Sequence, residues 1–116
     1  MANTFKLKTK SGVNGSALST VYTVPANTTA VIIGLTISNI KGSSITADAQ
    51  IVTASSTGEN ADDVYIVKAV PLPAGSSIEV MSGNKIILQA GDVVKSGGSN
   101  ASGNDADVIL SIMEIS

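Results

Sequence analysis

The chain has 116 residues, with nine carboxylates against seven lysines and a net charge of −2, so it can bury one hydrophobic core and offers no basic field for nucleic acid. His, Cys, Arg and Trp are all absent, which removes the commonest general base, the thiol nucleophile, the usual zinc ligands and the bidentate phosphate clamp. Charged residues make up 14% of the chain, against roughly a quarter in an ordinary soluble domain, so neutral polar side chains or other protein must cover much of the surface.

In chain order, the pattern predicts about eight strands. Phe5 to Lys10 alternates, with Lys6, Lys8 and Lys10 on one side; a lysine-lined strand near a terminus reads as a sheet edge guarded against uncontrolled pairing. Ser11 to Ser16 is a Gly/Asn loop, so residues 1–16 form an edge strand and loop, or an extended arm. Thr20 to Val24 is a short strand, and a Pro25-Ala-Asn-Thr-Thr turn leads into a long one, Thr29 to Ile40. Along it Val31, Ile33, Leu35 and Ile37 share one face, which is expected on the core beside Leu110 and Ile112. Lys41 to Ser44 connects to Ile45 to Ala54, where Ala47, Ala49 and Ile51 point inward and small alanines admit a close opposing layer.

Ser55 to Asp63 has no periodicity and reads as a surface loop. Val64 to Leu72 is a strand ended by Pro71 and Pro73, which cannot donate to a ladder and mark an edge or bend. The corner phrase then returns as Pro73-Ala-Gly-Ser-Ser. Ile78 to Met81 and Lys85 to Gln89 flank Ser82-Gly83-Asn84 as an expected hairpin. Val93 to Ser96, a Gly97 to Asp105 loop and the closing strand Val108 to Ile115 complete the chain. Helical spacing appears nowhere over ten residues. The fold class is all-β: one domain, 1–116, as a two-layer antiparallel β-sandwich of jelly-roll-like form.

The closing strand is apolar on both sides. Val108, Leu110 and Ile112 lie on one face, and Ile109, Met113 and Ile115 on the other. Such a strand is normally covered twice, here by the chain's own loop or by another subunit. Ile109, Met113 and Ile115 are therefore the candidate subunit contact.

Other constellations are weaker. Glu59, Asp62 and Asp63, or Asp105 with Asp107, could offer oxygen ligands to calcium, but neither loop has the twelve-residue calcium pattern and acidic loops are ordinary solubility features. A carboxylate pair for glycoside hydrolysis needs a cleft, usually with aromatic platforms, and the aromatics are only Phe5, Tyr22 and Tyr65. Gly97-Gly98 lacks the Lys-Ser/Thr of a phosphate loop, and Lys68 in its apolar strand reads as an outward, solvated lysine. The Asn-x-Ser/Thr matches at Asn14, Asn27 and Asn100 read as polar turns. The N-terminal residues hold no apolar run of signal-peptide length and no stretch is long enough to span a bilayer. The protein is thus expected to stay in the cytoplasm where it is made, or to leave as part of something larger.

The phrases Thr20-Val-Tyr-Thr-Val-Pro-Ala-Asn-Thr-Thr-Ala-Val-Ile-Ile-Gly-Leu-Thr-Ile-Ser-Asn39, Tyr65-Ile-Val-Lys-Ala-Val-Pro-Leu-Pro-Ala-Gly-Ser-Ser77, Leu88-Gln-Ala-Gly-Asp92 and Asp107-Val-Ile-Leu-Ser-Ile-Met-Glu-Ile115 carry a resemblance. Together they are similar to small virion structural proteins of tailed bacteriophages, especially those of cyanophages and other marine phages. The resemblance implies a non-enzymatic virion protein assembled in the host cytoplasm, without cofactor, metal, nucleic acid or membrane. The resemblance leaves the part of the virion open; the role expected here is a capsid decoration (cement) protein, with a tail or neck component as the alternative. Its implied partners are its own copies and other virion proteins such as the major capsid protein. A second class, a cell-surface or carbohydrate-binding β module, would call for more exposed aromatics than three residues can provide.

Overall fold

In the computed structural model, which describes residues 3–54, 63–100 and 103–116, every regular element is a strand. These are β1 (Asn3–Val13), β2 (Ser19–Thr23), β3 (Thr29–Asn39), β4 (Ile45–Val52), β5 (Val64–Leu72), β6 (Ser77–Glu79), β7 (Ile86–Leu88), β8 (Val93–Gly97) and β9 (Ala106–Ile115). The pairings β1·β9, β2·β8, β3·β6, β3·β7 and β4·β5 are those of one long antiparallel hairpin with β4–β5 at its tip. Rolled up, it places β1-β9-β3-β6 in one sheet, with β7 also on β3, and β2-β8-β4-β5 in the other. This is jelly-roll connectivity.

Alternation supplies the layer between the sheets. Ala30, Ile32, Leu35, Ile37, Val108, Leu110 and Ile112 from the larger sheet meet Tyr22, Ile45, Ala47, Ala49, Ile51 and Val94 from the smaller, all buried. Ala47 and Ala49 are inaccessible to solvent, as expected of small residues beneath a close opposing layer.

The two Pro-Ala corners are built alike. In each the third residue takes a left-handed backbone, Asn27 at φ 59° and Gly75 at φ 71°, and these are the two residue types that accept it most readily. Thr28 Oγ1 donates to the Ala26 carbonyl, and Ser76 Oγ to that of Pro73, closing each turn with a hydroxyl.

Two expectations are corrected. The first concerns Val31 and Ile33, which were placed on the core face with Leu35 and Ile37. The β3–β9 register steps from Ile32↔Ile112 to Gly34↔Ser111, so Ile33 is an extra residue in a β-bulge. Past it the facing reverses: Ala30 and Ile32 are buried before the bulge, Leu35 and Ile37 after it, and Ile33 is 38% exposed. Glu79 holds the irregular turn of backbone, its carboxylate accepting from Leu35 N–H (3.4 Å), Thr36 Oγ1 (3.2 Å) and Met81 N–H (2.7 Å).

The second correction concerns the expected hairpin between Ile78–Met81 and Lys85–Gln89. β6 and β7 do not pair with each other; both lie end to end along β3, opposite Thr36–Ser38 and Ala30–Ile32. The intervening turn, with Ser82 and Gly83 at positive φ, carries the chain past the bulge.

Candidate interaction surface

The outer face of the larger sheet is built row by row from the register. Residues directly opposite in neighbouring strands share a face. Phe5 faces Met113, which faces Val31, which faces Ile87, giving one unbroken apolar row across four strands. The next rows are Leu7–Ser111–Gly34, with the bulged Ile33 beside them, and Thr9–Ile109–Thr36–Glu79. Ile115 lies between Asn3 and Thr29. Phe5, Leu7 and Ile87 are 72%, 64% and 65% exposed. Isolated exposed apolar residues are normal, whereas a contiguous row of them makes this face the candidate interaction surface.

The three candidate contact residues all lie on this face. Ile109 is exposed, while Met113 and Ile115 are half-buried among their cross-strand neighbours. Sequence reading missed Phe5, Leu7, Val31, Ile33 and Ile87. Phe5 and Leu7 were legible, being the other side of the lysine alternation. Ile87 sits in a short Ile-Ile-Leu run with no alternation to read, and Val31 and Ile33 were masked by the bulge.

The lysines of β1 take the inner side, opposite Ile112, Leu110 and Val108. There Lys6 and Lys8 meet a buried polar group. Lys6 Nζ lies 2.9 Å from Glu114, Tyr22 Oη donates to the same carboxylate at 2.5 Å, and Lys8 Nζ lies 5.7 Å from the Tyr22 ring centre. The Tyr22 hydrogen bond, followed by Lys6, holds the Glu114 carboxyl below its ordinary value. Burial, and then Glu114 itself, push the Tyr22 hydroxyl well above the usual tyrosine range.

The remaining described carboxylates hold backbone. Asp105, fully buried, accepts from Asn100 N–H (2.8 Å) and Nδ2 (2.9 Å), with Lys41 Nζ at 3.6 Å. Burial raises its carboxyl, but the Asn100 bonds and Lys41 outweigh that and leave it below its ordinary value. Asp107 accepts from Gly12 N–H, Asp48 from Ala69 N–H, Asp63 from Thr53 N–H, and Asp92 from Ala54 and Gln89 N–H. Among the described residues no three acidic side chains converge on a point that could hold a metal ion; Glu59 and Asp62 lie outside the described residues. Lys68 is largely solvated, 3.8 Å from Asp48 and 4.8 Å from the Tyr65 ring centre.

Two open hollows flank the face. One of about 530 Å³, lined by Thr9, Lys10, Asp107 and Ile109, lies where the β1–β9 register shifts. The other, about 340 Å³, lies between the sheets at Ile51, Val64, Tyr65, Ile86 and Leu88.

No protein-family model matches this chain, and no curated protein does. Among solved structures it is similar to a chain of the Bacillus endospore appendages, a family of disulfide-linked pili, at 13% identity and TM-score 0.49, covering 96% of this chain and 86% of that one. It is also similar to the VP2 subviral particle of infectious bursal disease virus, at 8% identity and TM-score 0.34, covering 97% of this chain and 41% of that one. At these values neither likeness bears on what this chain does.

Proposed function

We propose that this chain is a non-enzymatic structural protein of a tailed-phage virion, a capsid decoration protein that binds through the outer face of its larger sheet. The observation that carries a packing role is the row Phe5–Met113–Val31–Ile87, with Ile109, Leu7 and Ile33 around it. The phage assignment adds the sequence resemblance to that surface. Catalysis finds little support, because the described carboxylates are committed to backbone and to one buried lysine–tyrosine group. A sugar platform is also poorly served, since the exposed aromatics Phe5 and Tyr65 sit in different sheets.

In this role many copies each bury an apolar patch at joints of the shell, and modest contacts add through multivalency. The test is Ile109→Asp in particles assembled with and without the variant, counted by quantitative mass spectrometry. The isolated variant should keep the wild-type circular dichroism yet fail to incorporate, because a charge there must be desolvated. Normal incorporation would remove this face from the contact. Absence of the wild-type chain from particles would overturn the role itself, and its position in a particle map separates shell from neck or tail.

A further inference from the structure

We infer that two copies of this chain pack outer face to outer face about a two-fold axis, and that their sheets do not join edge to edge. This rests on the assembly reading and names the partner of the same surface.

Charge is the first ground. The rows Phe5–Met113–Val31–Ile87 and Leu7–Ser111–Gly34 carry no ionised side chain, and the carboxylates Glu79 and Asp107 stand beyond them toward one end of the face, where they accept hydrogen bonds from Met81 and Gly12 N–H. Across these two rows a second copy meets no like charge, whereas a charged partner finds no complement there. Size is the second. Four strands about 4.8 Å apart and ten residues rising about 3.3 Å each project roughly 600 Å². That is of the order of the ~800 Å² of accessible surface each partner buries in a standard interface.

The edges supply the third ground. β5 is interrupted by Pro71, by register shifts and by Ala69 at φ 53°; β2 has five residues, and β6 and β7 three each. β1 is the one long free edge among the described strands. Antiparallel pairing of two β1 strands, with both second layers on one side, sets Lys6, Lys8 and Lys10 against their own copies, like charge opposite like. A one-residue slip sets them against Phe5 and Leu7 instead. Stacking is the route left open.

Sedimentation velocity on the purified chain tests this at tens of micromolar protein. The wild type should sediment at twice its 11.6 kDa. Ile87→Lys, and independently Leu7→Lys on the opposite strand, should sediment as monomers with unchanged circular dichroism, while Lys8→Thr stays dimeric. A monomeric wild type, or dimers persisting in both lysine variants, overturns the pairing. If the wild type is monomeric but Ile87→Lys is still excluded from particles, self-pairing falls and the assembly role stands. If the dimer forms but the chain is absent from particles, the assembly role falls and the pairing stands.

Discussion

The Tyr22 hydroxyl, carried on the smaller sheet, donates a 2.5 Å hydrogen bond to the Glu114 carboxylate on the larger one. With Lys6 on the same carboxylate, this joins β2, β9 and the edge strand β1 through one buried group. Tyr22→Phe keeps the ring and removes the donor, leaving the carboxylate short of a partner. It should lower the unfolding free energy at neutral pH by about 1–3 kcal/mol, measured by urea denaturation.

The pH dependence has a definite sign. Glu114 and Asp105 are both depressed in the folded state. Their contribution is complete above the ordinary carboxylate values, about 3.9 for Asp and 4.3 for Glu. It is lost as pH falls through the lower folded values. Stability should hold from neutral pH to near pH 4.5 and then fall, and the gap between wild type and Tyr22→Phe should narrow in acid. A gap of constant size down to acid unfolding would show that the Glu114 charge is not what Tyr22 stabilises.

The bulge predicts a contrast between two neighbours. Leu35 is fully buried and Ile33 is 38% exposed. Leu35→Ala should cost about 2–5 kcal/mol from lost transfer energy and a cavity, whereas Ile33→Ala should cost less than about 1 kcal/mol. Equal losses in equilibrium denaturation would place both on one face and remove the bulge.

Gly98 is buried, and a Cβ there would collide with the Asp105 carboxylate. Gly98→Ala should displace that carboxylate from Asn100 and destabilise by about 1–3 kcal/mol or more. Gly42, with open space where its Cβ would sit, is the control, and Gly42→Ala should be near neutral. Similar thermal transitions for the two variants would contradict the packing around Asp105.

Removing the inward charges of β1 should expose its edge. The double variant Lys6→Thr, Lys8→Thr should gain slow, thioflavin-positive association that the wild type lacks. A variant as inert as the wild type would show that the lysines are not what guards this strand.

Much of the fold could be read from period-2 alternation, because one face of β3, β4, β8 and β9 is core. The inward trio Val108, Leu110 and Ile112 and the alanines of β4 came out as the pattern required. The bulge at Ile33 did not, since an extra residue leaves local alternation intact while reversing the face beyond it. The separation of β6 from β7 was equally hidden, because a turn sequence shows that the chain bends and not which strand it then pairs with. Only part of the contact face was visible for a related reason: the Phe5–Met113–Val31–Ile87 row exists only once four distant segments share a register.

Asn3 pairs with Ile115, so among the described strands β1 finds its one sheet neighbour in β9, which is synthesised long after it. Throughout synthesis β1 must wait with its backbone unpaired and Phe5 and Leu7 in water, and distant pairings of this kind form late and slowly. Its three lysines are then more than the trim of a finished edge. They also place charge on the nascent strand during the interval before β9 is made.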